Sequence, residues 1–268
     1  MSFTVQAMAA SGSAEGGGFE APSPADFYQP LIGSGQWAFT RPMLLMIISI
    51  IFIAGFLIAT TRKAAVVPGK GQWLTEQVYN FVRNSVAQDT IGSKEFIKYV
   101  PLLFSLFMLI LVNNLFGIIP PFQYPTFSRV GFPIGLALLV YVIYHAIGIK
   151  RKGVAGYFKG LIPSGLPKGI YVLIIPLELI TYFITRPVTL ALRLFGNMFA
   201  GHMLLLLFIL GGQYMVLEGG PGLKVAGIGS WLLAFVMTVF EALIEFLQAY
   251  IFTLLAATYI ADSLSNEH

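Results

Sequence analysis

Residues 169–212, GIYVLIIPLELITYFITRPVTLALRLFGNMFAGHMLLLLFILGG, form an apolar run too long to cross a bilayer upright. As one helix rising ~1.5 Å per residue it would extend roughly 66 Å. The hydrocarbon core of a bilayer is about 30 Å thick. The run must therefore be a hairpin inside the membrane or a strongly tilted helix. A hairpin needs a tight turn, and the breakers present, Pro176, Pro187 and Gly196, do not cluster as a turn requires. The expectation is a tilted helix bent at its prolines. Residues 223–261, LKVAGIGSWLLAFVMTVFEALIEFLQAYIFTLLAATYIA, pose the same problem. With a short loop around 213–222, the two predict a pair of long, strongly tilted helices packed as a hairpin.

The rest of the chain fits that setting. Its 268 residues are 57% hydrophobic and 10% charged, whereas soluble domains average roughly 25% charged. The absence of cysteine excludes disulfides and thiolate metal sites. A net charge of +4 is too small to indicate nucleic-acid binding. Residues 1–40, rich in Gly, Ala, Ser and Pro and without a signal-like apolar core, read as a flexible tail. MLLMIISIIFIAGFLIAT (43–60) is uncharged and just long enough to span. In GQWLTEQVYNFVRNSVAQDTIG (71–92), Trp73, Val78, Phe81, Val82 and Val86 recur at helical spacing among charged residues, the pattern of an amphipathic helix lying in the interface. VPLLFSLFMLILVNNLFGIIP (100–120) and IGLALLVYVIYHAIGI (134–149) read as a transmembrane hairpin. The expected fold is thus an all-α integral membrane protein with a single membrane domain over 41–268.

Orientation is read from Lys and Arg in the loops. Arg62, Lys63, Lys70, Arg83, Lys94 and Lys98 lie in one connection, and Lys150, Arg151, Lys152, Lys159 and Lys168 in another. The tail offers only Arg41 and the hairpin loop only Arg129. The basic connections should face the cytoplasm, with the N-terminus outside and, after five crossings, the C-terminus inside.

The buried polar groups carry the functional argument. An ionisable side chain at the bilayer centre costs at least about 2.5–3.5 kcal/mol and is expected to face a partner or water. On a helix turning about 100° per residue, Arg186 and Asn197 lie within about 20° and 40° of Arg193, whereas His202 falls on the opposite face. Glu241, Glu245, Gln248 and Tyr259 share a second stripe within about 60° on the last helix. His202 and Glu241 lie toward the outer ends of their helices, Glu178 and Tyr259 toward the inner ends. For Arg186 a structural ion pair with Glu178 and a role in transport are equally open. Asn197 fits an interhelical hydrogen bond, and His145 reads as a satisfied packing residue. Glu241 and Glu245, one turn apart on an apolar face, repel each other, so at least one meets water or keeps its proton. No phosphate-cradling loop, metal-ligand spacing or nucleophile–base arrangement is visible. Polar stripes at different depths around an arginine describe a proton or cation path better than a pocket, with a secondary transporter or channel as the competing reading.

The stretches LALRLFGNMFAGH and EALIEFLQAYIFTLLAATYI, with VNNLFGIIP and the basic amphipathic segment, resemble subunit a of the F-type ATP synthase over residues 40–268. The resemblance implies long helices tilted along a ring of c subunits, each bearing one carboxylate. It implies that Arg193 is the essential coupling arginine between two offset aqueous half-channels. Gln248 matches the glutamine near that arginine, and Asn197 its helix-mate. His202 and Glu241 match outer half-channel positions, Asn114 falls in the stretch lining the same channel, and Glu178 resembles the inner half-channel carboxylate. The resemblance assigns no role to Glu245. It further implies peripheral-stalk b-type subunits and membrane lipid as partners, no cofactor, and a bacterial inner membrane, with the mitochondrial inner membrane as the alternative.

Overall fold

The computed structural model describes residues 19, 21–23, 27, 30–32, 38–62, 65–92, 94–119, 123–160 and 167–265. Five of its helical runs are long and apolar enough to cross a membrane: Arg41–Thr61, Val100–Ile118, Gly131–Gly160, Gly169–Glu218 and Pro221–Leu264. The five expected spans are all present; four end later than the sequence indicated, and Val100–Ile118 ends earlier. Helix α1 is Arg41–Thr61. Helix α2, Lys70–Phe81, runs through a π-helical stretch, Val82–Gln88, into a last turn, Asp89–Ile91, that stops at Gly92 in the left-handed region. Helix α3 is Val100–Ile118 and α4 is Gly131–Gly160.

Helix α4 carries the basic residues Lys150, Arg151 and Lys152, which the sequence put in a connection. It breaks at Gly153, whose φ of 70° and ψ of 165° lie in a region essentially reserved for glycine. The expected loop at 213–222 is shorter than predicted. Helix α6 is Arg186–Glu218 and α7 is Pro221–Leu264, so only Gly219 and Gly220 lie between them. Proline is favoured in a first helical turn, where its missing N–H is not needed.

The first overlong segment is helical throughout, without an internal turn. Helix α5, Lys168–Ile180, passes through a π-helical stretch, Thr181–Thr185, into α6, Arg186–Glu218. Pro187 explains why the wider register is tolerable there. The Arg186 amide bonds the Thr181 carbonyl. In that register the next donor would serve Tyr182, and Pro187 has none. The freed Tyr182 carbonyl instead accepts the Tyr144 hydroxyl at 3.0 Å.

The chain forms two compact units. One gathers Met1–Phe52, Ile110–Arg129 and Phe195–Gln248. Ile110, Phe116, Tyr124, Phe127 and Met198 are buried in it. Most of the tail expected to be flexible lies outside the described residues, but part of it is structured here. Pro30–Ile32 pairs antiparallel with Phe39–Thr40, Phe27 accepts a hydrogen bond from the Tyr124 hydroxyl, and Arg129 donates to Thr40 at 2.6 Å. Helices α6 and α7 approach closely at Gly212 and Gly227. A Cβ at Gly212 would meet the Trp231 ring at 2.7 Å, and one at Gly227 the Gly212 carbonyl at 2.8 Å. Small residues at a membrane helix crossing permit this. Ser230 Oγ and Trp231 Nε1 donate across it to the Phe208 and Ile209 carbonyls at 2.7 and 3.2 Å.

The other unit gathers Ile53–Leu109, Val130–Leu194 and Ala249–His268. Its core includes Val82, Val86, Val100, Leu103, Phe107, Tyr144, Phe252 and Ile260. The stripe expected on α2 divides: Val82 and Val86 are buried and Phe81 packs on Phe107 and Tyr250, while Trp73 stays exposed.

Candidate functional site

In the first unit, a cluster of ionisable groups lies wholly inside the protein. His202 from α6 and Glu241 and Glu245 from α7 are 3%, 6% and 4% exposed. The Nδ1 atom of His202 lies 3.1 Å from the Met198 carbonyl one turn back. Glu241 Oε1 approaches the same nitrogen to 2.7 Å, in a direction that leaves it without a hydrogen-bond partner among the described residues. Two glycines make the room. A Cβ at Gly201 would meet Glu241 Oε1 at 2.6 Å, and one at Gly117 of α3 would meet His202 Nε2 at 2.6 Å and Glu245 Oε1 at 3.2 Å.

The adjacent amides extend the polar surface. Asn114 of α3 donates through Nδ2 to the Glu245 backbone carbonyl at 3.0 Å. Asn197 donates to Gln248 Oε1 at 2.8 Å, the interhelical bond expected of it. Gln248 is buried and Asn197 exposed. Asn113 donates to Ser49 of α1 at 2.8 Å, a partnership no spacing rule in the sequence indicates.

In the second unit, Arg186 pairs with Asp262 rather than with Glu178, Nη2 to Oδ2 at 2.9 Å. Its guanidinium lies over the rings of Tyr182 and Tyr259, 3.8 and 4.7 Å from their centroids. The expected Arg186–Glu178 pair is therefore corrected, and Glu178 forms no ion pair among the described residues. The reason is reach. Residues eight apart on a helix are more than two turns apart, whereas Asp262 lies near the end of the antiparallel α7. A signal existed, since Asp262 follows Tyr259 by three residues on the same stripe.

His145 also departs from its expectation. Its ring packs on Tyr141, Tyr144 and Phe183 at centroid distances of 4.1, 4.4 and 5.1 Å. Both ring nitrogens, however, are buried without a hydrogen-bond partner among the described residues, so the residue is packed and not satisfied. Arg193 makes no ion pair among the described residues and is exposed on the apolar α6.

Chemically, the first cluster can take up, hold and release protons within an apolar shell. The Arg193 face of α6 offers a fixed positive charge at the surface of the chain. Known proteins resemble the chain over nearly its whole length. The family described as ATP synthase A chain matches residues 43–261. A Nocardioides protein named ATP synthase subunit a is 47% identical over 96% of this chain and 97% of its own length. Proteins of that name from Pseudarthrobacter chlorophenolicus and Streptomyces lividans are 45% and 42% identical, over 93% and 95% of this chain and 95% and 91% of their own lengths. A match of this extent identifies this protein as a member of the ATP synthase subunit a family.

Proposed function

We propose that the chain is the stator half of a rotary proton path, with two offset aqueous half-channels separated by Arg193. Family membership makes it a membrane subunit of the ATP synthase complex that translocates protons rather than carrying the nucleotide chemistry. The finer reading assigns His202, Glu241 and Asn114 to the outer half-channel. Asn197 and Gln248 form a polar pair near the ring contact, and Glu178 and Tyr259 line the inner half-channel. The partners are a ring of c subunits along the tilted helix pair and peripheral-stalk b-type subunits. The setting is a bacterial inner membrane with the N-terminus outside and the C-terminus in the cytoplasm.

The observation that carries this reading is Arg193. An arginine exposed on an apolar helix without an ion-pair partner among the described residues costs several kcal/mol in lipid and is suited to a partner that brings a negative charge. A ring carboxylate can turn through lipid only when protonated, because its ionised form is too costly there. Beside Arg193 the ionised form is favoured, so the proton leaves through one half-channel and is replaced from the other. The fixed charge also repels protons from a direct route between the half-channels. Since 100 mV supplies about 2.3 kcal/mol per charge moved, such a leak would dissipate the driving force.

Arg193→Ala tests the reading. The complex should assemble with its ATPase activity present while proton-driven ATP synthesis is lost. Normal synthesis in that variant overturns the proposal.

A further inference from the structure

The outer cluster contains one carboxylate more than a simple His–Glu pair requires. Glu245 is buried at 4% exposure, and both of its oxygens lack a hydrogen-bond partner among the described residues. The Nε2 atom of His202 is likewise buried and unpartnered. The two converge on one place, since a single Cβ position at Gly117 lies 2.6 Å from His202 Nε2 and 3.2 Å from Glu245 Oε1. The other side of the imidazole, Nδ1, lies 2.7 Å from Glu241. One ligand atom from each of His202, Glu241 and Glu245 lies within 4.8 Å of the others.

Charge bookkeeping restricts what such a cluster holds. A buried net charge is expensive, and the three groups reach zero net charge when two dissociable protons are shared among them. If His202 is an imidazolium, it carries one of these and the other belongs to either Glu241 or Glu245. The two states have equal total charge and differ only in which carboxyl is neutral. The ligand atoms lie within 4.8 Å of one another, a space that suits a single bridging water, which needs two to four polar partners. The unpartnered atoms of Glu245, His202 and Asn114 Oδ1 are of that kind.

We infer that Glu245 is a second proton station of the outer half-channel, exchanging one proton with Glu241 beside His202, and that Gly117 keeps open the space in which this occurs. The step rests on the half-channel reading above and deepens it. One O–H bond breaks on Glu241 and one forms on Glu245, a water passing the proton between them, while the N–H bonding of His202 is unchanged. Glu245 lies one turn further along α7 toward Gln248, so each exchange moves the proton along the helix in that direction. Alanine at 117 would put a methyl group against His202 Nε2 and close the space.

The test is ATP-driven acidification of inverted vesicles carrying the whole complex, with assembly checked by co-purified ATPase activity. Glu245→Gln keeps the shape and removes the exchangeable proton. It should slow acidification by about tenfold, below the roughly 10²–10⁴ that a positioned acid–base group contributes, because water still bridges part of the gap. Glu245→Asp keeps the acid and should recover part of the rate. A purely packing role gives the reverse order, Gln at or above Asp, and overturns the inference. Gly117→Ala should slow acidification in the same assay, and a wild-type rate there also overturns it. If Glu245→Gln runs at the wild-type rate while Glu241→Gln is slow, the second station is wrong and the half-channel reading stands. If neither variant is slow, both fall. A wild-type rate that rises with EDTA and falls again with Zn²⁺ would place a cation among the three ligands and overturn the exchange.

Discussion

Arg186 of α6 is held by Asp262 of α7, with 2.9 Å between Nη2 and Oδ2, and its guanidinium lies over Tyr182 and Tyr259. The ion pair is the weaker half of this arrangement, because Asp262 is 39% exposed and such pairs contribute about 0–1 kcal/mol. The stacking adds about 0.5–2 kcal/mol per ring depending on desolvation. Asp262→Asn should therefore lower the melting temperature of the purified chain in detergent only slightly, and Arg186→Ala clearly more. The reverse order would mean that the ion pair dominates.

The pairing of His202 with Glu241 predicts a change in rate rather than in coupling. Glu241→Gln leaves a hydrogen-bonding amide of the same shape but no proton to exchange. ATP-driven acidification of inverted vesicles should be slower than wild type, while ATP hydrolysis stays coupled to the protons that do move. An unchanged rate would remove Glu241 from the outer half-channel.

Asn197 and Gln248 should act as a unit. Their hydrogen bond joins α6 to α7 at 2.8 Å, and interhelical bonds of this kind contribute about 0.6 kcal/mol and at most about 1.7. In a double-mutant cycle of Asn197→Ala and Gln248→Ala on the stability of the purified chain, the coupling should fall in that range. Strict additivity would show that the bond contributes nothing.

The α6–α7 crossing depends on two glycines. At Gly227 an added Cβ would lie 2.7 Å from Val216 Cγ2 and 2.8 Å from the Gly212 carbonyl, and backbone cannot yield as a side-chain end can. Gly227→Ala should destabilise the chain by about 1–3 kcal/mol, the usual cost of overpacking. Gly55 of α1 is the control, since nothing lies within 4 Å of its Cβ position. Gly55→Ala should be neutral or stabilising by up to about 1 kcal/mol. Equal effects at the two positions would refute the close crossing.

The end of α4 makes a similar prediction. Gly153 adopts φ 70° and ψ 165°, and the chain beyond it brings the Tyr157 ring against Gly148. Gly153→Ala should cost about 1–3 kcal/mol in backbone strain, and Gly148→Ala should displace Tyr157. Both should appear as reduced thermal stability with a fluorescence change at the tyrosines, and wild-type behaviour in both would refute the break.

The sequence by itself determined the class of the protein. Charge depletion and five apolar runs, two of them too long for an upright crossing, leave little but a helical membrane bundle, because lipid cannot satisfy an exposed backbone. Helical periodicity also placed His202 away from Arg193, and Glu241, Glu245 and Gln248 on one stripe, since these angles follow from local geometry alone. The tertiary structure decided which groups meet. Asp262 replaced Glu178 as the partner of Arg186, because the choice depended on an antiparallel neighbour and not on spacing within one helix. The convergence of His202 and Glu245 at Gly117 was invisible, because a glycine shows in a sequence that no side chain stands there, but not what occupies the space. His145 was packed as the apolar run implied, whereas the missing hydrogen bonds of its two buried ring nitrogens could not be anticipated. Long-range polar contacts are set by how helices cross, and the crossing is a property of whole faces rather than of any one residue.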